Sequence, residues 1–180
     1  MPISRDEQLM LAVAQGDLDA FGEIVLRHQQ FVWGIAYRFL GDPAAAEDLA
    51  QETFIRVLKA ASRYKPSADF RTYLYQIISR LCIDSARRKS PIFTDTLPAV
   101  VDGSPDPAAT LVSKERETEI RRGIDGLPPR QRMAVILKYY EGLNYAGIAR
   151  TMGITIKAVE RLLGRARTAL RSTLSHIKER

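Results

Sequence analysis

The sequence predicts an all-α protein: two small helical domains joined by a flexible linker, the C-terminal one containing a helix-turn-helix. Three observations carry that expectation. Apolar residues recur at helical spacing over most of the 180 residues, while strand-type alternation is missing. Helix caps and stops punctuate the chain where each apolar stripe begins and ends. Residues 91–113 hold Pro91, Pro98, Gly103, Pro105 and Pro107 with three aspartates and no basic residue, a composition that disfavours packing. The boundaries follow: a first domain over 1–90, a linker over 91–113 and a second domain over 114–180.

Each element has its own signal. Ser4 and Glu7 form a capping-box pattern ahead of Leu9, Met10 and Val13, and Gly16 stops that helix. Asp17 caps the next, whose stripe is Phe21, Ile24, Val25, His28, Val32, Ile35, Ala36 and Phe39, ended by Gly41. Asp42-Pro43 reads as an N-cap with proline at the first helical position. The third helix turns Ala46, Leu49, Ala50, Thr53, Val57 and Leu58 inward. A loop spans 62–68. Asp69 then caps a fourth helix with Phe70, Leu74, Ile77, Ile78, Leu81 and Ser85 on one face. In the second domain a helix runs from near Leu111 to about Ile124, broken by Gly126-Leu127-Pro128-Pro129. Further helices cover 129–140, 145–152 and 156 to about 177, with Asn144 as a cap.

Composition excludes several classes. No apolar run approaches the ~18 residues a membrane helix needs, and the N-terminus has no basic-then-apolar leader, so the chain is expected to be cytoplasmic without membrane insertion. Cys82 is the only cysteine and is read as a core-facing thiol. His28 and His176 lack ligand-spaced neighbours, so no metal or cofactor is expected. No carboxylate cluster, phosphate loop or Ser/His/Asp arrangement points to an enzyme. Charge is segregated within the net +6: −6 over 1–53, +7 over 54–89, −3 over 90–113 and +8 over 114–180. Two basic blocks flanking an acidic linker suggest two docking places for a polyanion.

The most specific pattern lies in 144–170. Two helices crossing steeply need a small residue at their approach, supplied by Ala149, and a turn at positive φ, supplied by Gly153. Thr155 can cap the second helix, and Ile148, Met152, Ile154, Val159 and Leu162 complete a small core. Val159, Leu162, Leu163, Ala166, Leu170 and Leu174 share one side of that helix. Lys157, Arg161, Gly164 and Thr168 lie opposite, flanked by Glu160 and Arg165, a face suited to a DNA major groove. On the fourth helix Gln76, Arg80 and Arg87 share a face edged by Tyr73, extended by Arg88 and Lys89, with Tyr64 and Lys65 in the loop before it. Basic residues beside aromatics suit single-stranded bases and their phosphates. The third helix presents Glu47, Asp48, Gln51, Glu52, Ile55 and Arg56 outward with Phe54 near the edge, a surface suited to a protein partner.

These segments resemble a family. Residues 48–57 (DLAQETFIRV) resemble the core-polymerase-binding motif of RNA polymerase sigma factors, 70–88 the promoter-melting helix that reads the minus-10 element, and 127–167 the minus-35-reading domain. The small size resembles the extracytoplasmic-function subgroup. The chain departs from the usual pattern at Tyr73, Arg80 and Lys157-Ala158. The resemblance implies that Asp48, Gln51, Glu52, Phe54 and Ile55 grip the polymerase core, whose contacts are the clamp helices and flap. It implies that the 62–68 loop, with Ser62, Tyr64 and Lys65, and the helix residues Tyr73, Gln76, Arg80, Arg87 and Arg88 handle the minus-10 strand. It implies that Lys157, Glu160, Arg161 and Arg165 face the minus-35 groove, that the linker threads toward the RNA exit channel, and that an anti-sigma factor is a partner. An ordinary helix-turn-helix repressor explains 144–170 but leaves 48–88 without a purpose, and a purely structural adaptor ignores DNA altogether.

Overall fold

A computed structural model describes residues 4–65, 69–89 and 118–174. The described residues are helical. Helix α1 (Arg5–Ala14) opens with the expected capping box: the Glu7 N–H donates to Ser4 Oγ at 3.3 Å and the Ser4 N–H to Glu7 Oε2 at 2.8 Å. Helix α2 (Leu18–Leu40) is capped by Asp17, which accepts from the Ala20 N–H at 2.9 Å. Helix α3 (Pro43–Ala60) starts on Asp42, whose carboxylate accepts from the Ala44 and Ala45 N–H groups, with Pro43 in the first turn. A single 3₁₀ turn (Ala61–Arg63) leads toward α4 (Phe70–Lys89), where Asp69 accepts from the Arg71 N–H at 2.7 Å.

In the second domain α5 covers 118–125, α6 is Pro129–Val135, α7 is Tyr145–Met152 and α8 is Ile156–Leu174. The expected single helix over 129–140 is instead α-helical only to Val135. Ile136–Tyr140 widens into π geometry, closed by the Glu141 N–H donating to the Ile136 carbonyl at 3.2 Å. The expected linker, the start of the helix placed near Leu111, His176 and the end of the last helix fall outside the described residues, as do 66–68 of the loop.

Met10, Ile24, Ile35, Phe39, Val57, Leu74 and Ile78 are fully buried in the first domain, and Met133, Ile136, Leu137, Ile148, Val159 and Ala166 in the second. Each such large side chain contributes roughly 1.5–3 kcal/mol by leaving water. The two sets join into one continuous core, because α4 packs on α6 and α7. Among the described residues no helix is long and apolar enough to cross a membrane. Cys82 is buried as expected, and burial pushes its thiol well above the ordinary range, so it behaves as a small apolar group.

One core assignment fails. Leu58, expected inward, is 38% exposed. At ~100° per residue Leu58 falls about 40° beyond Phe54, past the edge of the buried arc and on the side of Gln51 and Ile55. Ala46, Ala50, Thr53, Phe54 and Val57 form the buried row, and Leu58 joins Gln51 and Ile55 on the outer one.

Candidate nucleic-acid interface

The crossing of α7 and α8 follows from three small or polar residues. Asn144 caps α7 by accepting from the Gly147 N–H at 2.7 Å. Gly153 ends α7 in the left-handed region, φ +63° and ψ +40°, where its N–H reaches the Ala149 carbonyl. Thr155 then starts α8 by accepting from the Ala158 N–H at 3.2 Å. Ala149 is buried at the approach of the two axes, and Ile148 and Val159 are fully buried beneath it. The exposed Arg167 guanidinium has its pKa raised by the neighbouring Tyr139 and then Tyr145. Lys138 Nζ lies 5.3 Å from the Tyr145 ring centroid.

With Val159, Leu163 and Ala166 buried, α8 is forced to turn Lys157, Glu160, Arg161, Gly164, Arg165 and Thr168 outward, and all six are exposed. Three cations around a glycine form a surface into which nothing protrudes at its middle. That shape and charge admit a groove edge lined by phosphates and base acceptors.

The first domain brings the other predicted DNA residues together less completely. Arg80, Arg87 and Arg88 are exposed along α4, and Ser62 and Lys65 are exposed at the loop. Tyr64 and Tyr73 are half-buried instead. Their rings meet with centroids 5.5 Å apart, and Phe70 stands 6.1 Å from each. Burial pushes the Tyr64 phenol up to about 12 and raises Tyr73 as well. These aromatics are a packed cluster beside the loop. Gln76 is exposed, but its amide donates to the Arg150 carbonyl of α7 at 3.3 Å.

The outer face of α3 has the expected acidic character. Asp48, Gln51 and Ile55 are exposed, and Gln51 bonds to Glu47 at 3.3 Å. Glu52 pairs with Arg56 one turn on at 2.8 Å, a hydrogen bond that holds its carboxyl below the usual range. Phe54 does not belong to this surface. It is 6% exposed and part of the core, because it lies in the buried row one turn from Ala50 and Val57.

A set of contacts between the domains has no counterpart in any sequence pattern. Glu141, whose side chain is 8% exposed, accepts from Arg38 Nη1 at 3.3 Å and from the Tyr75 hydroxyl at 3.0 Å. Arg121 donates to the Tyr37 carbonyl at 3.2 Å and lies 4.9 Å from that ring, so close to Gly41 (φ +75°) that a β-carbon there comes within 3.1 Å of the guanidinium. Arg132 donates to the Phe39 carbonyl at 2.9 Å and to the Asp125 carbonyl. Neither Tyr75, wedged between Leu74 and Gln76 in sequence, nor the scattered arginines carry a pattern that periodicity detects.

Two family models match the chain: sigma-70 region 2 over residues 24–92 and sigma-70, region 4 over residues 117–170. The extracytoplasmic-function (ECF) RNA polymerase sigma factor SigE of Mycolicibacterium smegmatis is 34% identical over 165 residues, covering 89% of this chain. The chain spans 64% of the length of that relative. The ECF RNA polymerase sigma factor SigW of Bacillus subtilis is 33% identical over 175 residues, covering 90% of this chain and 92% of SigW. Among solved structures, CnrH in complex with the cytosolic domain of CnrY superposes with a TM-score of 0.70 at 23% identity, covering 96% of this chain and 99% of that one, a likeness of fold.

Proposed function

Because the chain belongs to the extracytoplasmic-function RNA polymerase sigma factors, non-enzymatic DNA-binding proteins that direct transcription initiation, we propose how its surfaces divide that work. The first domain docks on core polymerase through Asp48, Gln51, Glu52 and Ile55 of α3. The loop after α3 and the α4 residues Tyr73, Gln76, Arg80, Arg87 and Arg88 take the minus-10 strand once it is unpaired. Lys157, Glu160, Arg161 and Arg165 of α8 read the minus-35 duplex. Residues 91–113 join the two readers. The observation that carries this is the outward set on α8, where buried Val159, Leu163 and Ala166 leave a cationic face with a glycine at its centre.

The physical logic is differential binding. Contacts to unpaired bases exist only after the duplex opens, so they stabilise the open state and not the closed one. The chain supplies no bond chemistry of its own. Its place of work is the cytoplasm, where polymerase and promoter are. The sigma factor RpoE of Bartonella quintana, of the same fold, is seen in complex with the anti-sigma factor NepR, and this supports an anti-sigma factor as a partner here as well.

Transcription in vitro with core polymerase lacking any other specificity subunit tests the reading. Added protein should confer defined start sites, and Asp48→Lys combined with Glu52→Lys should abolish them by weakening polymerase binding. Unchanged start sites with the double variant would remove α3 from the docking surface.

A further inference from the structure

The direct packing of the two domains has no role in the division of work above. An α4 that must receive a strand is here engaged by α7, and Gln76 of its promoter face is bonded to a backbone carbonyl of the helix-turn-helix. We propose that this packing is a self-locking device: Glu141, gripping Arg38 and Tyr75, holds the second domain against α4 in the free protein, and strand capture by the whole α4 face, Gln76 included, requires that clasp to break. What the lock blocks rests on the proposed role of α4. The closure itself rests only on the contacts.

Those contacts are built as a clasp. A carboxylate as enclosed as that of Glu141 is tolerable only with donors, and both come from the other domain, Arg38 on α2 and Tyr75 on α4. The end of α2 adds a second point of grip. The last carbonyls of a helix carry the negative end of its dipole, and that of Tyr37, which accepts from the Gly41 N–H at 2.9 Å, has a second lone pair to offer. Arg121 and Arg132, both from the second domain, donate to the Tyr37 and Phe39 carbonyls there. Arg38 also lies 5.5 Å from the Tyr140 ring centroid. The recognition face of α8 takes no part and stays exposed. The closed form thus leaves the duplex reader presented and ties Gln76 of the strand reader to α7, while Arg80, Arg87 and Arg88 stay exposed.

The chain carries its own reporter. Trp33, the single tryptophan, stacks on Tyr37 with centroids 4.8 Å apart, and Arg121 covers the same tyrosine. Opening removes that cation from the stack.

The test uses the full chain and Glu141→Ala. The readouts are radius of gyration by small-angle X-ray scattering, Trp33 emission, and affinity for a fluorescein-labelled mixed-sequence single-stranded DNA 20-mer. A closed state that dominates reduces apparent affinity by the fraction that is open. The variant should therefore expand, shift its Trp33 emission and bind the strand about tenfold more tightly. An unchanged radius and unchanged emission would overturn the lock. Should circular dichroism show that Glu141→Ala has lost helix, Tyr75→Phe keeps the ring and removes one bond; an expansion with about threefold tighter binding is expected, and no change overturns the proposal. Expansion with no strand binding by either protein would instead leave the clasp standing and remove α4 as the strand reader.

Discussion

Gly153 and Gly164 sit 11 residues apart in the helix-turn-helix, and exchanging each for alanine should move stability in opposite directions. A β-carbon at either position meets nothing within 4 Å, so packing contributes to neither substitution. Only the backbone differs. Gly153 holds φ +63°, where an L side chain crowds the following carbonyl at a cost of roughly 1–2 kcal/mol. Gly164 lies inside α8 with no positive φ, where alanine restricts the unfolded chain and gains roughly 0.5–1 kcal/mol. The gap between the variants is thus about 2 kcal/mol. At about 2–4 °C per kcal/mol for a chain of this size, Gly153→Ala should melt several degrees below Gly164→Ala, with the parent between them. Thermal unfolding followed by far-ultraviolet circular dichroism measures this. Two shifts of the same sign would refute the backbone argument. A stabilised Gly164→Ala that also binds minus-35 duplex more weakly would place the centre of that face against the groove.

Phe54→Ala should cost about 3–5 kcal/mol in urea unfolding, as expected for an emptied core site; polymerase binding lost at full stability would return Phe54 to the docking surface. Arg161→Ala should reduce discrimination between minus-35 duplexes by about 1–3 kcal/mol if it meets a base, whereas an equal loss on every sequence would assign it to phosphate. Burial, and then the Glu141 charge, push the Tyr75 phenol up to about 12. Its contribution to closure should be complete below pH 10, the ordinary value, and fade as pH rises toward 12. Comparing the scattering radius of the parent and Tyr75→Phe across that window isolates the effect, and parallel curves would exclude Tyr75.

The helices were legible because their signals are local. The Ser4–Glu7 box, the Asp17, Asp42, Asp69 and Asn144 caps and the Gly153 turn each depend on residues within a few positions of one another, and each forms the expected bond. The outer face of α8 was legible for a related reason: its buried row is strict, so its opposite is fixed. α3 was harder to read. Its apolar residues Val57, Phe54, Leu58 and Ile55 spread over an arc of roughly 160°, and only tertiary packing decides that Phe54 and Val57 go in while Ile55 and Leu58 stay out. The contacts of Glu141 were invisible, since its partners lie 66 and 103 residues away and no spacing rule reaches across separate domains.

The chemistry of those long-range contacts also fits a joint that must open. The core also runs across this joint, and that apolar part favours closure independently of the polar contacts, which are the part that can be exchanged. Guanidinium–carbonyl and carboxylate–phenol bonds can be exchanged for bonds to water, so each contributes only about 0.5–3 kcal/mol net. Arg38 is itself 41% exposed along its side chain, which weakens its share further through screening. A few such bonds can bias the chain toward the closed form and still be overcome by a partner that binds the open one more tightly. The cations involved add a directional element. Arg121 docks on a helix-end carbonyl, whose partial charge is weaker than that of a carboxylate or a phosphate, whereas Arg132 also faces the Asp125 carboxylate at 3.7 Å. A polyanion arriving at the basic second domain therefore competes for the Arg121 guanidinium that helps hold the domains together. On that ground, raising salt should loosen the closed form modestly, while short duplex DNA at equal ionic strength should loosen it more; scattering radii that respond only to salt would detach the clasp from nucleic-acid binding.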